Sequence, residues 1–336
     1  MQKFEHAVKK ETIFGESYLP KNKQDIFHIA MSGTDNYLVH LGVTMTSMLM
    51  HNPGEKFHFH VFINGISDED LGKMKMLSEE FQTCISLYFV NDDVFRDMLH
   101  RDGIAAHFYR FMIPPVLAGK AERVLCTDGD ILCQRPLRPL ITADLSGNTA
   151  AAVRDTSKEY EEMRRKRVGT SLYFNAGVLL IDIQEWNRQE LSEKAADMAE
   201  QRHRSGRPLA SHDQDILNVL LDRQVKMMDP KYNDICNLDR KTLWKKQFDL
   251  TYNPEAVLVH YAGIVKPWKS WVQYLDCVKP YREAWLRSPW RDIPLQEPKG
   301  YKNLHQAARH ARKKGDYPEM FSLYRQYFLA KLHHER

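Results

Sequence analysis

The sequence has little cysteine and no long apolar run, and each absence excludes a class of protein. Its five cysteines are scattered over 336 residues without a Cys-x-x-Cys pair. Neither a disulfide framework nor a zinc knuckle is therefore indicated, and a reducing compartment is expected. No apolar stretch reaches the ~20 residues of a membrane-spanning helix, and Met1–His6 lacks the apolar core of a signal peptide. We expect a cytoplasmic protein.

A strong overall charge is also missing, except at the C-terminal end. The formal net charge is +4, and nine Lys and Arg outnumber three Asp and Glu from Lys299 to Arg336. A basic segment of this kind suggests an anionic partner, such as a membrane surface or nucleic acid. With 43% apolar and 27% charged residues, the remainder is typical of a soluble globular protein with one large α/β domain or two domains.

Two carboxylates stand between two apolar runs in the segment Val124–Leu132, whose sequence is VLCTDGDIL. The first run predicts a buried strand that ends near Asp128 and Asp130. Alternate residues of a strand point to the same side, and Gly129 allows a close approach of other groups. The pair is either a site for a hard divalent cation or a turn in which both Asp side chains bind nearby backbone.

Strand-like and helix-like segments alternate through the first half of the chain. Strands are predicted at 26–31, 57–63 and 85–90, and a helix with an acidic first turn is predicted after Ser67. This alternation predicts a mostly parallel sheet with ligands at the carboxyl ends of its strands. Residues 1–24 are aperiodic and are expected to be a peripheral extension, while Pro114–Pro115 should end any helix before them.

Later segments contain further candidate site residues. Asn175–Gly177 is interpreted as a tight turn before a buried strand, and Ser211 as the N-cap of a helix. The acidic residues of that helix belong either to its cap or to a functional site. His260 lies at a predicted strand end with Lys266 close behind it. These two residues are either structural or part of a site for metal and phosphate.

The character of the chain changes from about Tyr281. Prolines at 289, 294 and 298 predict a linker, after which two short basic helices with aromatic residues are expected. In the second of these helices, Phe321, Tyr324, Phe328 and Leu332 form an apolar stripe. The stripe either packs on the main domain or lies in an anionic membrane interface.

Taken together, these motifs resemble glycosyltransferase family 8, the retaining nucleotide-sugar enzymes that include bacterial lipopolysaccharide core glycosyltransferases and glycogenin. The resemblance covers about residues 25–275, and the basic C-terminal segment favours the lipopolysaccharide branch. The matching segments, in the order of the family, are Ala30–Tyr37, Tyr109-Arg110, Asp128-Gly129-Asp130, Phe174–Ile181, His212–Asp215, His260-Tyr261 and Gly263–Trp268.

The resemblance implies a GT-A-type α/β fold, with a mixed, mostly parallel sheet flanked by helices and a small helical C-terminal extension. The implied division is an extension at 1–24, a catalytic domain at 25–280 and a basic helical extension at 281–336. The implied partners are a UDP-hexose, a lipopolysaccharide core acceptor and an anionic membrane surface rather than nucleic acid. The enzyme would be peripheral on the cytoplasmic face of the inner membrane.

The resemblance also implies a role for each motif residue. Asp128, Asp130 and His260 would bind Mg²⁺ or Mn²⁺, with Gly129 between the two acids, and Gly263 and Lys266 would hold the diphosphate. Ala30, Asn36 and Tyr37 would line the uracil and ribose site. Thr34 stands where the family often has Asp, so either Thr34 or Asp35 would meet the uracil. The donor sugar would be surrounded by Arg110, Asn175, Ala176, Asp213 and Gln214.

The implied reaction transfers a hexose, glucose more readily than galactose, from a UDP-sugar to the outer core of lipopolysaccharide with an α linkage. Gln214, Asp213 and Arg110 are the expected catalytic residues. Gln214 is a poor nucleophile, so attack from the leaving-group face is favoured over a covalent intermediate on Asp213 or Asp215. A UDP-sugar hydrolase, or a transferase for another glycan acceptor, is the alternative.

Overall fold

The computed structural model describes residues 4, 6–99, 103–155, 158–206, 210–238 and 253–334. Over these residues the chain forms a sheet of eight strands, a smaller sheet of three strands and helices on both sides. In chain order the strands are β1 (Val8–Phe14), β2 (Ile26–Gly33), β3 (Lys56–Ile63), β4 (Cys84–Val90), β5 (Arg123–Thr127), β6 (Ile131–Cys133), β7 (Ala150–Arg154), β8 (Phe174–Asp182), β9 (Val225–Met227), β10 (Asp234–Ile235) and β11 (Leu258–His260).

The helices follow the strands in the alternation that the sequence predicts. They are α1 (Leu38–His51), α2 (Asp68–Phe81), α3 (Ile113–Val116), α4 (Arg138–Ile141), α5 (Lys158–Val168), α6 (Ile183–Arg188), α7 (Leu191–Arg204), α8 (His212–Leu220), α9 (Lys279–Arg287), α10 (Gly300–Lys314) and α11 (Tyr317–His334). Short 3-10 turns at Asp35–Tyr37 and Ala105–Met112 complete the segments around the site. As predicted, Ser67 caps α2 by accepting a hydrogen bond from the backbone of Asp70.

The large sheet has the order β1-β4-β3-β2-β5-β8-β7-β9 and mixes parallel and antiparallel pairs. Strands β2 to β5 are parallel where they pair, whereas β8 is antiparallel to both of its neighbours. In the small sheet, β11 pairs antiparallel with β6, which follows directly after the two carboxylates. The predicted mixed α/β fold is therefore confirmed, and the β11–β6 pairing brings two distant parts of the chain to one place.

The N-terminal segment is not an extension outside the sheet. Its strand β1 pairs antiparallel with β4 at one edge, and Phe4 and Ala7 are buried in the core. The strand, whose sequence is VKKETIF, carries Lys and Glu at its centre, and charged residues are common on edge strands because they discourage pairing with other chains. The expectation of an aperiodic peripheral segment is wrong for residues 8–14.

Two local predictions are wrong about where prolines and small residues lie relative to the ends of helices and strands. Pro114 and Pro115 occupy the first turn of α3 rather than ending a helix; proline is tolerated there because the first amide groups of a helix have no partner inside the helix. Asn175–Gly177 lies inside β8 and not in a turn before it. The pairing of β8 with β7 shifts register between Ala152 and Val153, which is opposite this small-residue stretch.

The segment predicted to be a linker packs against α1 and α2. Trp290 is completely buried, its ring fills the space where a Cβ of Gly42 on α1 would lie, and its indole N–H donates to Asp70 at 2.8 Å. Lys73 of α2 pairs with Asp292 at 2.8 Å. The prolines therefore shape an ordered connection, and residues 288–298 do not separate two independent bodies.

We expect Trp290→Ala to lower the free energy of unfolding by about 3–5 kcal/mol, because it opens a cavity beneath α1 and removes the hydrogen bond to Asp70. Urea or thermal unfolding would measure the change. Leu286→Ala on α9 is the matched control, since Leu286 is 55% exposed and its truncation should cost less than about 1 kcal/mol. Equal effects of the two substitutions would contradict the packed arrangement.

Candidate active site

Asp128 and Asp130 lie where β5 ends and the chain turns into β6, as the sequence predicts. The backbone N–H of Asp128 donates to Gly177 on β8, and the carbonyl of Asp130 accepts from Tyr261 after β11. A Cβ at Gly129 would overlap Leu41 and press on the ring of Tyr37, so the glycine is required by protein packing. The Asp130 side chain is 8% exposed and that of Asp128 is 39% exposed, which leaves Asp128 as the more accessible acid.

His260 at the end of β11 faces both carboxylates. Its Nε2 lies 3.8 Å from Oδ2 of Asp128 and 3.5 Å from Oδ1 of Asp130. The ring sits directly over Gly177 of β8, where any larger residue would overlap it. The ligand atoms of Asp128, Asp130 and His260 all lie within 4.8 Å of one another, and two carboxylate oxygens with one imidazole nitrogen form a donor set that suits Mn²⁺ or Mg²⁺. The three residues therefore fit a divalent cation.

Asn233 contacts the other ring nitrogen of His260, and no sequence motif points to this asparagine. His260 Nδ1 lies 3.0 Å from Asn233 Oδ1, and Asn233 Nδ2 donates to Asn175 Oδ1 at 2.8 Å. Asn233 follows the 3-10 turn Pro230–Tyr232, is 3% exposed and comes just before β10. No spacing or periodicity distinguishes it from other loop asparagines, because only the β10–β11 pairing brings it beside the imidazole.

The protonated nitrogen of His260 follows from this network. Asn175 Oδ1 accepts from the backbone N–H of Gly177 and must therefore be the oxygen, which makes the Asn233 atom beside it the NH₂ group. The remaining Asn233 atom, its oxygen, faces Nδ1 of His260. His260 consequently donates through Nδ1–H, which leaves Nε2, the nitrogen that faces Asp128 and Asp130, as the one that can bind a metal.

Arg110 connects the cluster of Asp128, Asp130 and His260 with α8. Its guanidinium contacts Asp128 Oδ1 at 2.6 Å and Asp213 Oδ2 at 3.5 Å, and it donates to the carbonyl of Ala176. Burial alone would raise the pKa of Asp128, but Arg110 and then His260 hold that pKa below its usual value. Burial raises the pKa of Asp213, and the Asp128 carboxylate adds to this rise while Arg110 opposes it. Asp128 is therefore the more strongly acidic of the two.

Gln214 lies at the first turn of α8 against β8. Its Oε1 accepts from Asn175 Nδ2 at 3.2 Å and from the backbone of Ala176 at 3.0 Å, while its Nε2 donates to the hydroxyl of Tyr173 at 3.3 Å. Because Asn175 also binds Asn233, a continuous chain of hydrogen bonds connects Gln214 with His260. The side-chain amide of Gln214 is thus fixed in orientation.

Ser211 stands at the N-cap position of α8 as predicted, but it does not cap the helix with its side chain. Ser211 Oγ instead accepts from Arg167 at 3.3 Å. Asp215 is 2% exposed and receives hydrogen bonds from Arg167 and Tyr173 at 2.5 Å each, as well as from the backbone of Ser211. Both oxygens of the buried Asp215 accept hydrogen bonds that hold α8 in place, which disfavours this carboxylate as a nucleophile.

The residues expected at the nucleotide end lie where β2 runs into α1. Asp35 and Asn36 are exposed, Thr34 and Tyr37 are partly buried, and Ala30 is completely buried in the core. The structure therefore does not bring the Ala30 side chain to the surface of the cleft. Burial raises the pKa of Tyr37 well above its usual value, and the nearby Asp130 and Asp128 carboxylates add to the rise. The ring of Tyr37 lies against Gly129, between the two acids.

Lys266 and Gly263 follow His260 in the loop after β11. Lys266 Nζ contacts Asp130 Oδ2 at 2.5 Å and the carbonyl of Tyr261 at 3.0 Å. Gly263 has φ near 108°, a conformation that side chains disfavour. The carboxylate pair therefore has a cation at each acid, Arg110 at Asp128 and Lys266 at Asp130.

The sheet is mixed, two acids lie at the end of a central strand, and an imidazole faces them. This arrangement is that of a GT-A nucleotide-sugar glycosyltransferase. Residues 28–272 match the glycosyl transferase family 8 model, and residues 276–331 match the model of the family 8 C-terminal region. The chain belongs to glycosyl transferase family 8.

Similar proteins cover nearly the whole chain. Lipopolysaccharide glucosyltransferase WaaO of Escherichia coli K12 is 31% identical over 309 residues, 90% of each chain. A lipopolysaccharide 1,3-galactosyltransferase of Salmonella typhimurium is 31% identical over 338 residues, 98% of each chain. The crystal structure of the galactosyltransferase LgtC with donor and acceptor sugar analogs superposes with a TM-score of 0.65 at 25% identity, covering 79% of this chain and 99% of LgtC.

Proposed function

We propose that the protein is a retaining hexosyltransferase that moves glucose, or less readily galactose, from a UDP-sugar to the outer core of lipopolysaccharide through an α linkage. The single observation that carries this proposal is the convergence of Asp128, Asp130 and His260 between Arg110 and Lys266. Family membership and the lipopolysaccharide transferases among the similar proteins support the acceptor class.

The positions of the side chains support the following binding roles. Asp128, Asp130 and the Nε2 lone pair of His260 would hold the divalent cation, Mg²⁺ or Mn²⁺, which when bound neutralises charge that develops on the departing diphosphate. Lys266 and the Gly263 loop hold the diphosphate beside this cluster, and Lys266 adds a fixed positive charge there. Tyr37, with Asn36 and either Thr34 or Asp35, contacts the nucleoside.

The sugar lies over the stretch of β8 and α8 that presents Asn175, Ala176, Asp213 and Gln214. Arg110 stands between Asp128 and Asp213 and keeps both carboxylates in place. The fixed amide of Gln214 can donate or accept a hydrogen bond near the anomeric carbon but is a poor nucleophile. Because both oxygens of Asp215 accept hydrogen bonds, the favoured route is attack by the acceptor from the side of the leaving group, whose phosphate oxygen takes the acceptor proton.

We expect UDP release to depend on a divalent cation and to rise at least tenfold when core oligosaccharide is added. UDP-glucose and UDP-galactose would be compared on acceptors of defined length, with EDTA treatment followed by Mn²⁺ or Mg²⁺ as the reversible control. EDTA-resistant transfer would contradict the metal role. Equal turnover with and without acceptor would show a UDP-sugar hydrolase instead.

We also propose that α11 rests on the anionic cytoplasmic face of the inner membrane. Phe321, Phe328 and Leu332 of the predicted stripe lie with Tyr317 on one side of this helix, and each is more than half exposed. This side, the α11 stripe, is not core, whereas the predicted member Tyr324 is partly buried against the apolar cluster that contains Met320 and Leu323. No helix among the described residues is long and apolar enough to cross a bilayer. Aromatic groups beside Arg325 and Lys331 suit an interfacial position.

We expect the double variant Phe321→Ser, Phe328→Ser to bind vesicles that contain phosphatidylglycerol at least fivefold more weakly, because it removes two aromatic side chains from the interface. Co-sedimentation at fixed salt would measure the effect. Leu286→Ser is the matched control, since Leu286 is exposed to a similar extent but lies on α9. Unchanged vesicle binding by the double variant would refute the role of the α11 stripe.

A further inference from the structure

A second cluster of potential metal ligands lies away from the carboxylate site. His28 near the start of β2 is the cross-strand partner of His58 on β3, and His60 follows two residues later on the same face. One ring nitrogen from each histidine lies within 4.8 Å of the other two. The acids follow the opposite end of the parallel strands, because Met31, near the end of β2, pairs with Thr127 just before Asp128.

The hydrogen bonds in this cluster orient the imidazoles as metal sites do. His58 Nε2 bonds Ser86 Oγ at 2.9 Å, and His60 Nδ1 bonds the Tyr88 hydroxyl at 3.1 Å. His60 Nε2 bonds His28 Nδ1, and one ring nitrogen of each of the three histidines lies within 4.8 Å of the other two. Histidine ligands commonly bind a polar group through the nitrogen that does not touch the ion.

The spacing of the rings suits an ion. His28 Nδ1 lies 3.0 Å from His60 Nε2, with which it shares a hydrogen bond, while two nitrogens on one tetrahedral Zn²⁺ at about 2.0 Å lie about 3.3 Å apart. The neighbouring charge of Lys120 is paired with Glu11 at 3.1 Å.

We propose that His28, His58 and His60 form a second metal site that takes a borderline divalent ion, with Zn²⁺ as the preferred occupant. Three imidazoles without a carboxylate favour Zn²⁺, Co²⁺ or Ni²⁺ over Mg²⁺. His28 and His60 are 8% and 0% exposed, whereas His58 is only half-buried and supplies the path of entry. A bound ion would join β2 to β3 at the end of the sheet opposite the reaction, so its role is structural.

The test uses the full chain with Asp130→Asn, which weakens the carboxylate site. This protein is expected to bind one Zn²⁺ per chain after dialysis, to show the strong visible absorption of tetrahedral Co²⁺, and to melt at a higher temperature with Zn²⁺ but not with Mg²⁺. Adding His58→Gln should remove the bound Zn²⁺, the Co²⁺ absorption and the Zn²⁺-dependent rise in melting temperature.

Two further variants keep the result interpretable. His203→Gln in the same background is the matched control, because His203 is an exposed histidine that bonds only the Leu99 carbonyl in the described structure, and it should retain all three signals. His28→Asn, which should lose them, replaces His58→Gln if circular dichroism shows that the latter is unfolded. Failure of the Asp130→Asn protein to bind Zn²⁺, or equal binding by the folded His58→Gln protein, would show that the imidazoles only bond one another.

Discussion

Asp130→Asn is expected to reduce hexose transfer about 100- to 1,000-fold, because a bound cation supplies several kcal/mol of stabilisation to the departing diphosphate. The substitution keeps the size of the side chain but removes a charged oxygen that lies 3.5 Å from His260 Nε2. It also leaves Lys266 without its carboxylate partner. Initial rates of UDP release at saturating donor, measured over a series of Mn²⁺ concentrations, would show both a lower maximum and weaker activation by metal.

The stability of the Asp130→Asn protein should change little, since the loss of one of two adjacent negative charges offsets the loss of its ion pair. A shift of the melting temperature by no more than a few degrees is expected. Asp276→Asn, at an exposed acid in the turn before α9, is the control and should keep full activity. Transfer within about threefold of the unmodified protein would exclude Asp130 as a metal ligand.

Asn233→Ala is expected to weaken activation by Mn²⁺ about 10- to 100-fold, the usual cost of losing the group that orients a metal-bound histidine. Without the Asn233 oxygen, His260 can turn or exchange its proton between the two nitrogens, and Nε2 no longer faces the acids. The half-saturating Mn²⁺ concentration is the main readout, and Mn²⁺ binding without substrate is the independent one. High Mn²⁺ should restore much of the maximum rate.

Two comparisons separate this positioning role from a merely structural one. Asn233→Asp keeps an oxygen for His260 Nδ1–H and should remain closer to the unmodified protein in metal affinity than Asn233→Ala. Asn64→Ala removes an exposed asparagine that bonds Asp92 and should leave metal affinity unchanged. If Asn233→Ala only lowers the melting temperature while Mn²⁺ binding stays the same, Asn233 supports the fold and not the ligand.

The parts of the site that sequence could predict are those governed by local pattern. The apolar run before Asp128 identifies the strand end. Asp128 and Asp130 lie in the turn after β5, so the two-residue repeat of strands does not explain why both face His260. The partnership with His260 could not follow from pattern, because it depends on the pairing of β11 with β6 across more than a hundred residues. It was expected only from the resemblance to a family. Asn233 was missed for the same physical reason, since its neighbours in space are remote in sequence.

The wrong predictions about the fold have a common cause, because each relied on a residue type that occurs in more than one kind of structure. Small residues usually indicate turns, but in Asn175–Gly177 they let the ring of His260 lie on a strand. Prolines usually indicate linkers, yet the segment around Trp290 is anchored by its tryptophan rather than loosened by its prolines. Charged residues usually indicate a solvated segment, but β1 is an edge strand with only one neighbour. Tertiary contacts decided each case.

The apolar cluster beneath the C-terminal helices has a practical consequence for anyone who shortens this enzyme. Leu304 and Ala308 of α10 belong to the same cluster as Val259, the residue immediately before His260. Deletion of the residues from α10 onward would expose the apolar surface of β11, the strand that carries His260, to water. The helices α10 and α11 therefore help to bury the strand that carries His260. Single substitutions on α11 are the safer way to study attachment to the membrane.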